Sequence, residues 1–440
     1  MNYEQTIDYL YSRLPMFTRI GAAAYKKDLH NTVHLLDAIG NPQHRFRSIH
    51  IAGTNGKGSC SHMLASILHQ AGYKTGLYTS PHLYDFRERI KISGQKVLDM
   101  VPKDFVTAFT QKIKPEIEKI EPSFFEVTVA MAFDFFAQEQ VDIAIIETGL
   151  GGRLDSTNVL KPELSIITNI GWDHMNLLGD TLDKIAFEKA GIIKPDIPVV
   201  IGETLEETLP VFLKMAAKSN APVLLAEKTW IATQAESSME MLHLKMESLQ
   251  TREVLWIACD LPGIYQKKNI ATVLTAVDIL RNQGWQISRN DVLSGLKNVK
   301  SQTGLWGRWQ VVDKNPYVVL DVAHNEAGMT QLIRQLNQMQ LAGSFNKVHL
   351  ILGMVKDKEA DKVLQLLPPS YRYYFTQAQT ERALPAETLR IQAQAFQLTG
   401  EAYAKPELAL AAARIAAAPD DFIVVCGSIF VVAEIERLVG

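Results

Sequence analysis

The sequence has few cysteines and no long apolar run. Its cysteines, Cys60, Cys259 and Cys426, lie far apart and follow no paired spacing. This pattern excludes a disulfide framework or a cysteine-based zinc motif and favours a reducing compartment. The longest apolar stretches, such as residues 422–433, have about a dozen residues, whereas a membrane-spanning helix needs about 20. The first residues also lack the basic start and apolar core of a signal peptide. We therefore expect a cytoplasmic protein with no membrane partner.

An excess of charge of one sign is missing as well. The chain has 440 residues and a formal net charge of -3 at pH 7, so it carries no broad basic field, and we expect no nucleic-acid partner. Hydrophobic residues make up 47% and charged residues 21% of the sequence, which is typical of globular proteins. The length is sufficient for two or three domains.

Segments typical of strands and helices alternate along most of the chain. Apolar runs at residues 141–146, 164–168 and 197–201 have strand length and are typical of strands buried on both faces of a parallel sheet. Their alternation with helical segments predicts an α/β fold. Residues 222–259 instead contain alternating polar and apolar positions, which predict a small antiparallel insert.

A second α/β alternation begins after a polar, glycine-containing segment at residues 300–304. The unit that follows is large enough to fold around its own core. The sequence therefore predicts two domains, residues 1–299 with a mainly parallel sheet plus the insert, and residues 300–440 with a Rossmann-like α/β arrangement.

A glycine-rich turn between a predicted strand and a predicted helix indicates a phosphate site. The turn, GTNGKGS, occupies residues 53–59. Glycines allow backbone N–H groups to surround phosphate oxygens, the helix N-terminus adds a favourable dipole, and a lysine reaches the outer phosphates. The glycine spacing is shorter than in the strict G-x-x-x-x-G-K-[ST] pattern, and a glycine separates the lysine from the serine. We predict phosphate binding by Asn55, Gly56, Lys57, Gly58 and Ser59.

Several motifs in a fixed order resemble the folylpolyglutamate synthase/dihydrofolate synthase family of the Mur ligase superfamily. Besides GTNGKGS they include TSPHL at 79–83, ETGLGGRLDSTN at 147–158, ITNIGWDH at 167–174, EKAGIIK at 188–194, GIYQKKN at 263–269 and DVAHN at 321–325. The resemblance covers nearly the whole chain. It implies a Mur-ligase-like fold with an N-terminal P-loop ATPase domain, which carries the folate site, and a C-terminal glutamate-ligase domain.

The metal ligands are expected around Glu147, which ends a predicted buried strand. Carboxylates at the carboxyl ends of parallel strands face the ligand crevice of α/β folds, and Mg²⁺ takes oxygen ligands there. His174 alone is more typical of a structural hydrogen-bonding residue. The resemblance implies that Ser80, Glu147 and His174 bind Mg²⁺, with two ions expected.

Lys189 lies on a predicted amphipathic helix, where composition alone favours a solvated lysine. The resemblance implies a carbamylated lysine that binds a second Mg²⁺ or orients another ligand. Carbamylation requires the neutral amine, which desolvation favours by lowering the lysine pKa. The resemblance also implies catalytic roles for Lys57, His174, Lys189 and His324.

Three polar residues near the predicted domain boundary, Asn269, Arg308 and Asp321, are each compatible with an ordinary surface position. The resemblance implies that they bind the nucleotide, so that ATP bridges the two domains. It also implies that His324 and Ser428 face the reaction centre or the incoming glutamate.

Aromatic residues at the start of a predicted helix are candidates for stacking on a pterin, since aromatic faces suit flat heterocycles. The sequence alone favours core packing for the same residues. The segment from Leu29 to Thr32 corresponds to a further family contact, but its residues match no defined pattern. The resemblance implies acceptor contacts at Phe124, Phe125, Glu126, Leu154, Asp155 and Ser156.

The implied reaction adds L-glutamate to dihydropteroate, and to tetrahydrofolate or its polyglutamates, with ATP and an acyl-phosphate intermediate. TSPHL resembles the bifunctional form, and a monofunctional folylpolyglutamate synthase is the alternative. A muramyl-peptide ligase shares GTNGK, but ETGLGGRLDSTN favours the folate branch. A non-enzymatic nucleotide switch would not require Glu147, His174 and Lys189 together. The family further implies a monomer.

Overall fold

The computed structural model describes residues 1–21, 26, 28–356 and 360–439. The strands of the N-terminal part are β1 (Arg47–Ala52), β2 (Thr75–Tyr78), β3 (Ile90–Ser93), β4 (Leu98–Met100), β5 (Ile143–Glu147), β6 (Leu164–Ile167), β7 (Val199–Ile201), β8 (Val223–Leu225), β9 (Trp230–Ser237), β10 (Leu242–Ser248) and β11 (Val254–Cys259). Those of the C-terminal part are β12 (Gln310–Lys314), β13 (Tyr317–Leu320), β14 (Val348–Leu352), β15 (Arg372–Thr376), β16 (Gly400–Tyr403) and β17 (Phe422–Cys426).

Helices connect most of these strands. In chain order they are α1 (Tyr3–Arg13), α2 (Phe17–Ile20), α3 (His30–Ala38), α4 (Lys57–Gln70), α5 (Lys103–Ile120), α6 (Phe124–Gln138), α7 (Met175–Leu178), α8 (Leu182–Ala190), α9 (Leu209–Lys218), α10 (Gln266–Asn282), α11 (Arg289–Lys297), α12 (Val299–Thr303), α13 (Glu326–Leu341), α14 (Ala360–Leu364), α15 (Ala386–Gln394), α16 (Pro406–Ala416) and α17 (Ile429–Val439). Short 3₁₀ helices cover Pro42–His44, Phe86–Arg89, Ser156–Val159 and Ala226–Lys228.

The first sheet is mainly parallel, as the sequence predicts. Its strand order within the described residues is β4-β3-β2-β5-β1-β6-β7-β8, and every pair from β2 to β8 is parallel. β3 and β4 add an antiparallel edge that the sequence analysis did not identify. These two strands are only four and three residues long, which is too short for a periodic pattern to stand out.

The antiparallel insert is confirmed as a three-stranded sheet of order β11-β10-β9. Along β10, buried and exposed side chains alternate, with Leu242, Leu244 and Met246 facing the core. The same core includes α4, which is covered by α10, α11 and α12, and the insert packs on the outer side of α10 and α11. As a result α4 is buried from Gly58 to Leu68, which explains its weak amphipathic pattern.

The second sheet has the order β12-β13-β17-β14-β15-β16, again within the described residues. β12 is antiparallel to β13, and the other pairs are parallel. The α/β class expected for both parts of the chain is therefore confirmed. None of the described helices is long and apolar enough to cross a membrane.

Helix α12 lies between the two sheets in sequence and packs on the first of them. His62 Nδ1 lies 2.7 Å from Thr303 Oγ1, and Lys91 Nζ donates to the Thr303 carbonyl at 2.7 Å. The chain reaches the second sheet only after this anchored helix. The division of the chain at residues 299 and 300 stays a prediction.

The packing of the insert can be tested with two adjacent substitutions on β10. Leu244 is 2% exposed, whereas the neighbouring His243 is exposed on the other face. We expect Leu244→Ala to lower the free energy of unfolding by about 2–5 kcal/mol and His243→Ala to change it by less than about 0.5 kcal/mol. Denaturant unfolding followed by tryptophan fluorescence measures both values. Equal effects of the two changes would contradict the packing.

Candidate active site

A cavity of about 490 Å³ lies where the carboxyl ends of the parallel strands of both sheets meet. In α/β folds, ligands bind in the crevice outside these strand ends. Every residue that the sequence analysis assigned to a ligand lines this cavity: Asn55, Gly56, Lys57, Gly58, Ser59, Ser80, Phe124, Phe125, Glu126, Glu147, Leu154, Asp155, Ser156, His174, Lys189, Asn269, Arg308, Asp321, His324 and Ser428.

The glycine-rich turn joins β1 to α4 and is held by the segment after β6. Asn55 N donates to Asn169 Oδ1 at 2.9 Å, and Thr168 Oγ1 donates to the Asn55 carbonyl at 2.6 Å. Gly56 has φ 84°, and a Cβ at this position would lie 2.5 Å from Asn269 Oδ1. The turn therefore needs glycine both for its backbone conformation and for the close approach of α10.

One backbone carbonyl holds two lysines of the site. The Gly53 carbonyl accepts hydrogen bonds from Lys57 Nζ at 3.0 Å and from Lys189 Nζ at 2.7 Å. Lys189 is 4% exposed, and its burial, with the nearby Lys57 charge, lowers its pKa to about 7. A substantial share of Lys189 is therefore neutral near pH 7, unlike an ordinary solvated lysine.

Glu147 brings a buried carboxylate to the same region. It ends β5, is 5% exposed, and accepts a 3.4 Å hydrogen bond from Ser80 N through Oε2. Burial raises the pKa of Glu147 to about 6, although the charges of Lys57 and Arg308 oppose the shift. The nearby positive charges offset only part of the cost of burying the Glu147 carboxylate, so the site suits a bound cation.

His174 stands at the N-terminus of α7 in the left-handed conformation, with φ 51° and ψ 38°. Its ring packs edge-on against Phe17 at a centroid distance of 5.5 Å, and its Nε2 lies 3.7 Å from Asp173 Oδ1. Non-glycine residues adopt this backbone conformation infrequently, and it directs the His174 side chain to the cavity wall.

The fit of a metal depends on these side chains. Among the described residues, no group of three or more histidine, cysteine, aspartate or glutamate side chains is arranged to hold a metal ion. Mg²⁺ retains several waters and takes phosphate oxygens, so it needs only one or two protein carboxylates. Glu147, with Ser80 beside it, fits that requirement.

The second unit reaches the glycine-rich turn through a reciprocal pair of amides. Asn55 Nδ2 donates to Asn325 Oδ1 at 3.3 Å, and Asn325 Nδ2 donates to Asn55 Oδ1 at 3.1 Å. His324, next to Asn325, has Nδ1 2.8 Å from the Val322 carbonyl, which only accepts, so Nδ1 carries the proton. His324 Nε2 lies 3.6 Å from Asp173 Oδ2.

The expected nucleotide residues come from three places in the chain. Asn269 lies on α10 and packs against the turn, as described above. Arg308 follows α12, and its Nη2 lies 3.7 Å from the position that a Cβ on Gly58 would occupy. Asp321 follows β13, and its Oδ2 accepts hydrogen bonds from Trp309 N at 3.0 Å and from Tyr265 at 3.4 Å. Burial raises the pKa of Asp321.

The wall opposite these residues is formed by the start of α6. Ser123 and Glu126 form a capping box, in which Glu126 Oε2 accepts from Ser123 N at 2.6 Å. Glu126 is 1% exposed, and its Oε1 has no hydrogen-bond partner in the protein. Phe124 is buried against Tyr11 and Phe86, which confirms its core packing, and it also lines the cavity. Its contact with the acceptor stays a prediction. A buried, unpartnered carboxylate oxygen requires a donor.

Asp155 lines the cavity, but the loop around it uses its oxygens. Oδ2 accepts from Leu150 N at 2.8 Å, and Oδ1 accepts from Thr157 N at 3.0 Å and from Thr157 Oγ1 at 2.5 Å. The 3₁₀ helix Ser156–Val159 begins at this cap. The carboxylate thus holds both ends of the loop from 150 to 157, while Leu154 and Ser156 face the cavity.

The sequence analysis missed several lining residues. Asp173 lies in ITNIGWDH and Tyr265 lies in GIYQKKN, so these motifs were the available signal. The N-terminal segment of Pro15, Met16 and Phe17 carried no motif. Its place in the cavity wall depends on tertiary contacts, including the Arg382 guanidinium stacked on Phe17 at 5.2 Å.

Comparison with known proteins agrees with this arrangement. Residues 51–277 match the Mur ligase middle domain, and residues 307–429 match the Mur ligase glutamate ligase domain. The chain is 32% identical to the dihydrofolate synthase/folylpolyglutamate synthase of Bacillus subtilis, over 99% of this chain and 98% of the relative. It is 31% identical to the folylpolyglutamate synthase of Lacticaseibacillus casei, also over 99% and 98%.

Among solved structures, Escherichia coli FolC in complex with DHPP and ADP is similar with a TM-score of 0.84 and 28% identity, over 100% of this chain and 97% of that one. The matches extend along the whole chain and include both units that form the cavity. This protein therefore belongs to the Mur ligase family and, within it, to the dihydrofolate synthases/folylpolyglutamate synthases.

Proposed function

We propose that this protein adds L-glutamate to dihydropteroate, and to tetrahydrofolate or its polyglutamates, by ATP-dependent amide ligation. The observation that carries the proposal is that one cavity contains the glycine-rich turn, the buried carboxylate of Glu147 and the buried amine of Lys189, whose pKa is lowered to about 7. The same cavity contains a carboxylate oxygen of Glu126 that has no hydrogen-bond partner in the protein. Full-length relatives named for both activities support the same substrates.

The nucleotide is proposed to bridge the two units. Its phosphates bind the turn at residues 53–59, where Lys57 supplies a positive charge. Asn269, Arg308 and Asp321 then bind the remainder of the nucleotide, because all three border the same cavity from α10 and from the segments around β12 and β13. Such an arrangement makes ATP binding sensitive to the position of the second unit.

Mg²⁺ is proposed to bind through Glu147, Ser80 and His174, with a second ion near Lys189. Bound Mg²⁺ neutralises charge on the phosphoryl group during transfer. The buried Glu147 carboxylate is the side chain whose chemistry best supports this assignment. His174 is held at the cavity wall between Phe17 and Asp173.

Lys189 is proposed to be carbamylated. Its amine is buried and its pKa is lowered to about 7, so the neutral form that adds carbon dioxide is accessible near pH 7. The product is an anion next to Lys57, which converts an unfavourable contact between two ammonium groups into a favourable one.

The acceptor is proposed to lie against α6 and the loop from 150 to 157. The unpartnered Glu126 Oε1 suits the adjacent N–H donors of a pterin ring, and Phe125 provides an aromatic face. Leu154 and Ser156 complete this wall, while Asp155 holds the loop.

The reaction requires activation because a carboxylate has no leaving group other than oxide. Transfer of the γ-phosphoryl group to the carboxylate gives an acyl phosphate. The glutamate amine then forms the C–N bond as the C–O bond to phosphate breaks, and ADP and phosphate leave. His324 is proposed to accept the amine proton, since its Nδ1–H is held by Val322 and its Nε2 faces the cavity beside Asp173.

Ser428 and His324 belong to the second unit, and we assign them to the incoming glutamate. Both follow strands of the second sheet and line the cavity. Closing the cavity between units at residues 1–299 and 300–440 would keep water from the acyl phosphate. A monomer located in the cytoplasm fits the proposal.

A monofunctional folylpolyglutamate synthase is the second candidate, because the relative from L. casei carries that name alone. The two candidates differ only in whether dihydropteroate is accepted. A muramyl-peptide ligase has less support, since the curated relatives that match over 99% of the chain are named for folates.

Phosphate release with Mg-ATP and L-glutamate tests the proposed function. We expect release with dihydropteroate and with tetrahydrofolate, and little release without an acceptor. Release with tetrahydrofolate alone would favour the monofunctional enzyme. Release with neither acceptor would contradict the folate proposal.

Removing the proposed phosphate and metal side chains gives a second prediction. We expect Lys57→Ala and His174→Ala to lower kcat by at least about 100-fold, because each loses charge stabilisation or positioning in phosphoryl transfer. The thermal midpoint of each variant should stay near that of the wild type. Lys184→Ala, an exposed lysine on α8, is the matched control and should keep full activity. Unchanged turnover in either site variant would refute its assigned role.

Carbamylation of Lys189 gives a third prediction. With ¹³C-bicarbonate, we expect a carbamate signal in the carbon NMR spectrum of the wild type that is absent from Lys189→Ala. The variant should lose at least about 100-fold in kcat, and added acetate should restore part of it by supplying a small carboxylate. Lys184→Ala should retain the carbamate signal. A wild-type spectrum identical to that of Lys189→Ala would exclude the modification.

A further inference from the structure

A series of three hydrogen bonds, two of them fully buried, joins β1 to the loop that carries the proposed acceptor contacts. His50 Nε2 lies 2.8 Å from Thr157 Oγ1, and Thr157 Oγ1 lies 2.5 Å from Asp155 Oδ1. Asp155 Oδ2 in turn accepts from Leu150 N at 2.8 Å. His50 and Thr157 are fully buried and Asp155 is 2% exposed, so the chain is shielded from solvent.

The proton positions in this chain follow from counting donors. Burial raises the pKa of Asp155, but backbone N–H groups donate to both of its oxygens and favour the ionised form, which only accepts. The single hydroxyl hydrogen of Thr157 therefore goes to Asp155. His50 must then donate to Thr157 through Nε2–H. His50 Nδ1 has no hydrogen-bond partner, which agrees with a neutral ring whose Nδ1 is unprotonated. Burial, with the nearby Lys194 charge, lowers the pKa of His50 to about 3 and keeps the ring neutral.

The two ends of this series of hydrogen bonds lie on elements with different proposed functions. His50 belongs to β1, which continues into the glycine-rich turn at residues 53–59. Asp155 fixes the backbone at Leu150 and at Thr157, and Gly151, Leu154 and Ser156 between them line the cavity. Loss of the Thr157 hydroxyl would break the link from Asp155 to His50 and leave the backbone N–H of Thr157 as the remaining donor to Asp155 at this end of the loop. The glycine-rich turn would keep its own hydrogen bonds to Asn169 and Thr168.

We propose that His50 and Thr157 are positioning residues for the acceptor, holding the loop from 150 to 157 in the conformation that contacts the pterin-containing substrate. Neither residue is among those that line the cavity. The proposal rests on the proposed function, since it assigns a role within the same acceptor site. The proposal predicts different effects on the two ligands. A change in the loop should weaken binding of the acceptor and leave binding of ATP unchanged.

The decisive comparison is Thr157→Val against Thr157→Ser. Valine has a similar shape but removes the hydroxyl, whereas serine keeps it. We expect Thr157→Val to raise the KM for the acceptor about tenfold or more, because Asp155 loses a charge-assisted hydrogen bond and the loop shifts. The KM for ATP should change less than about twofold. Thr157→Ser should behave like the wild type in both.

The second arm combines Thr157→Val with His50→Leu. The single Thr157→Val variant leaves a buried N–H of His50 without an acceptor and should lower the Tm. In the double variant this N–H is removed, so the Tm should recover in part. The acceptor KM should remain high, because the loop still lacks its hydroxyl. A purely structural role predicts instead that KM and Tm recover together.

Phe212→Leu provides a control for loss of stability alone. Phe212 is fully buried in the cluster of α8 and α9 and does not line the cavity. This variant should lower the Tm without changing the KM for the acceptor. If the wild type uses the acceptor and Thr157→Val has the same KM for it, the positioning role is overturned. Failure of the wild type to use any folate acceptor would overturn the proposed function itself.

Discussion

The site is organised around the Gly53 carbonyl, which accepts hydrogen bonds from two lysines at once. One lysine comes from the helix that follows the glycine-rich turn, and the other comes from α8. Burial of Lys189, and to a lesser extent the charge of Lys57 beside it, lowers the pKa of Lys189 and favours its neutral form. The same contact thus connects the turn to α8 and holds a buried amine whose pKa is lowered to about 7.

The sequence predicted those parts of the molecule that depend on local patterns. The parallel strands could be inferred because buried strands are continuously apolar, and the insert because its strands alternate. The cavity-lining positions of Glu147, Asp321 and Ser428 follow from their place at strand ends, since these ends meet in α/β folds. The roles of these residues remain predictions, although the structure brings them together around one cavity.

Other parts of the site could not be inferred from local patterns. Phe17 reaches the wall because it packs between His174 and Arg382, which are far away in sequence. The burial of α4 depends on α10, α11 and α12, which pack on it from distant parts of the sequence, so its own sequence shows little periodicity. Asp155 shows a further limit of the sequence analysis. The family resemblance implies that Asp155 contacts the acceptor, but only the structure reveals that its oxygens hold the loop.

The reciprocal amide pair of Asn55 and Asn325 connects the glycine-rich turn to the second unit without using any net charge. Dissolved ions screen contacts between charged groups but have little effect on a contact between two neutral dipoles. The affinity of the glycine-rich turn for a polyanion must weaken as salt is added, whereas this connection keeps its strength. This amide contact is therefore less sensitive to ionic strength than the ion pair of Lys314 with Glu240, which also joins the two units.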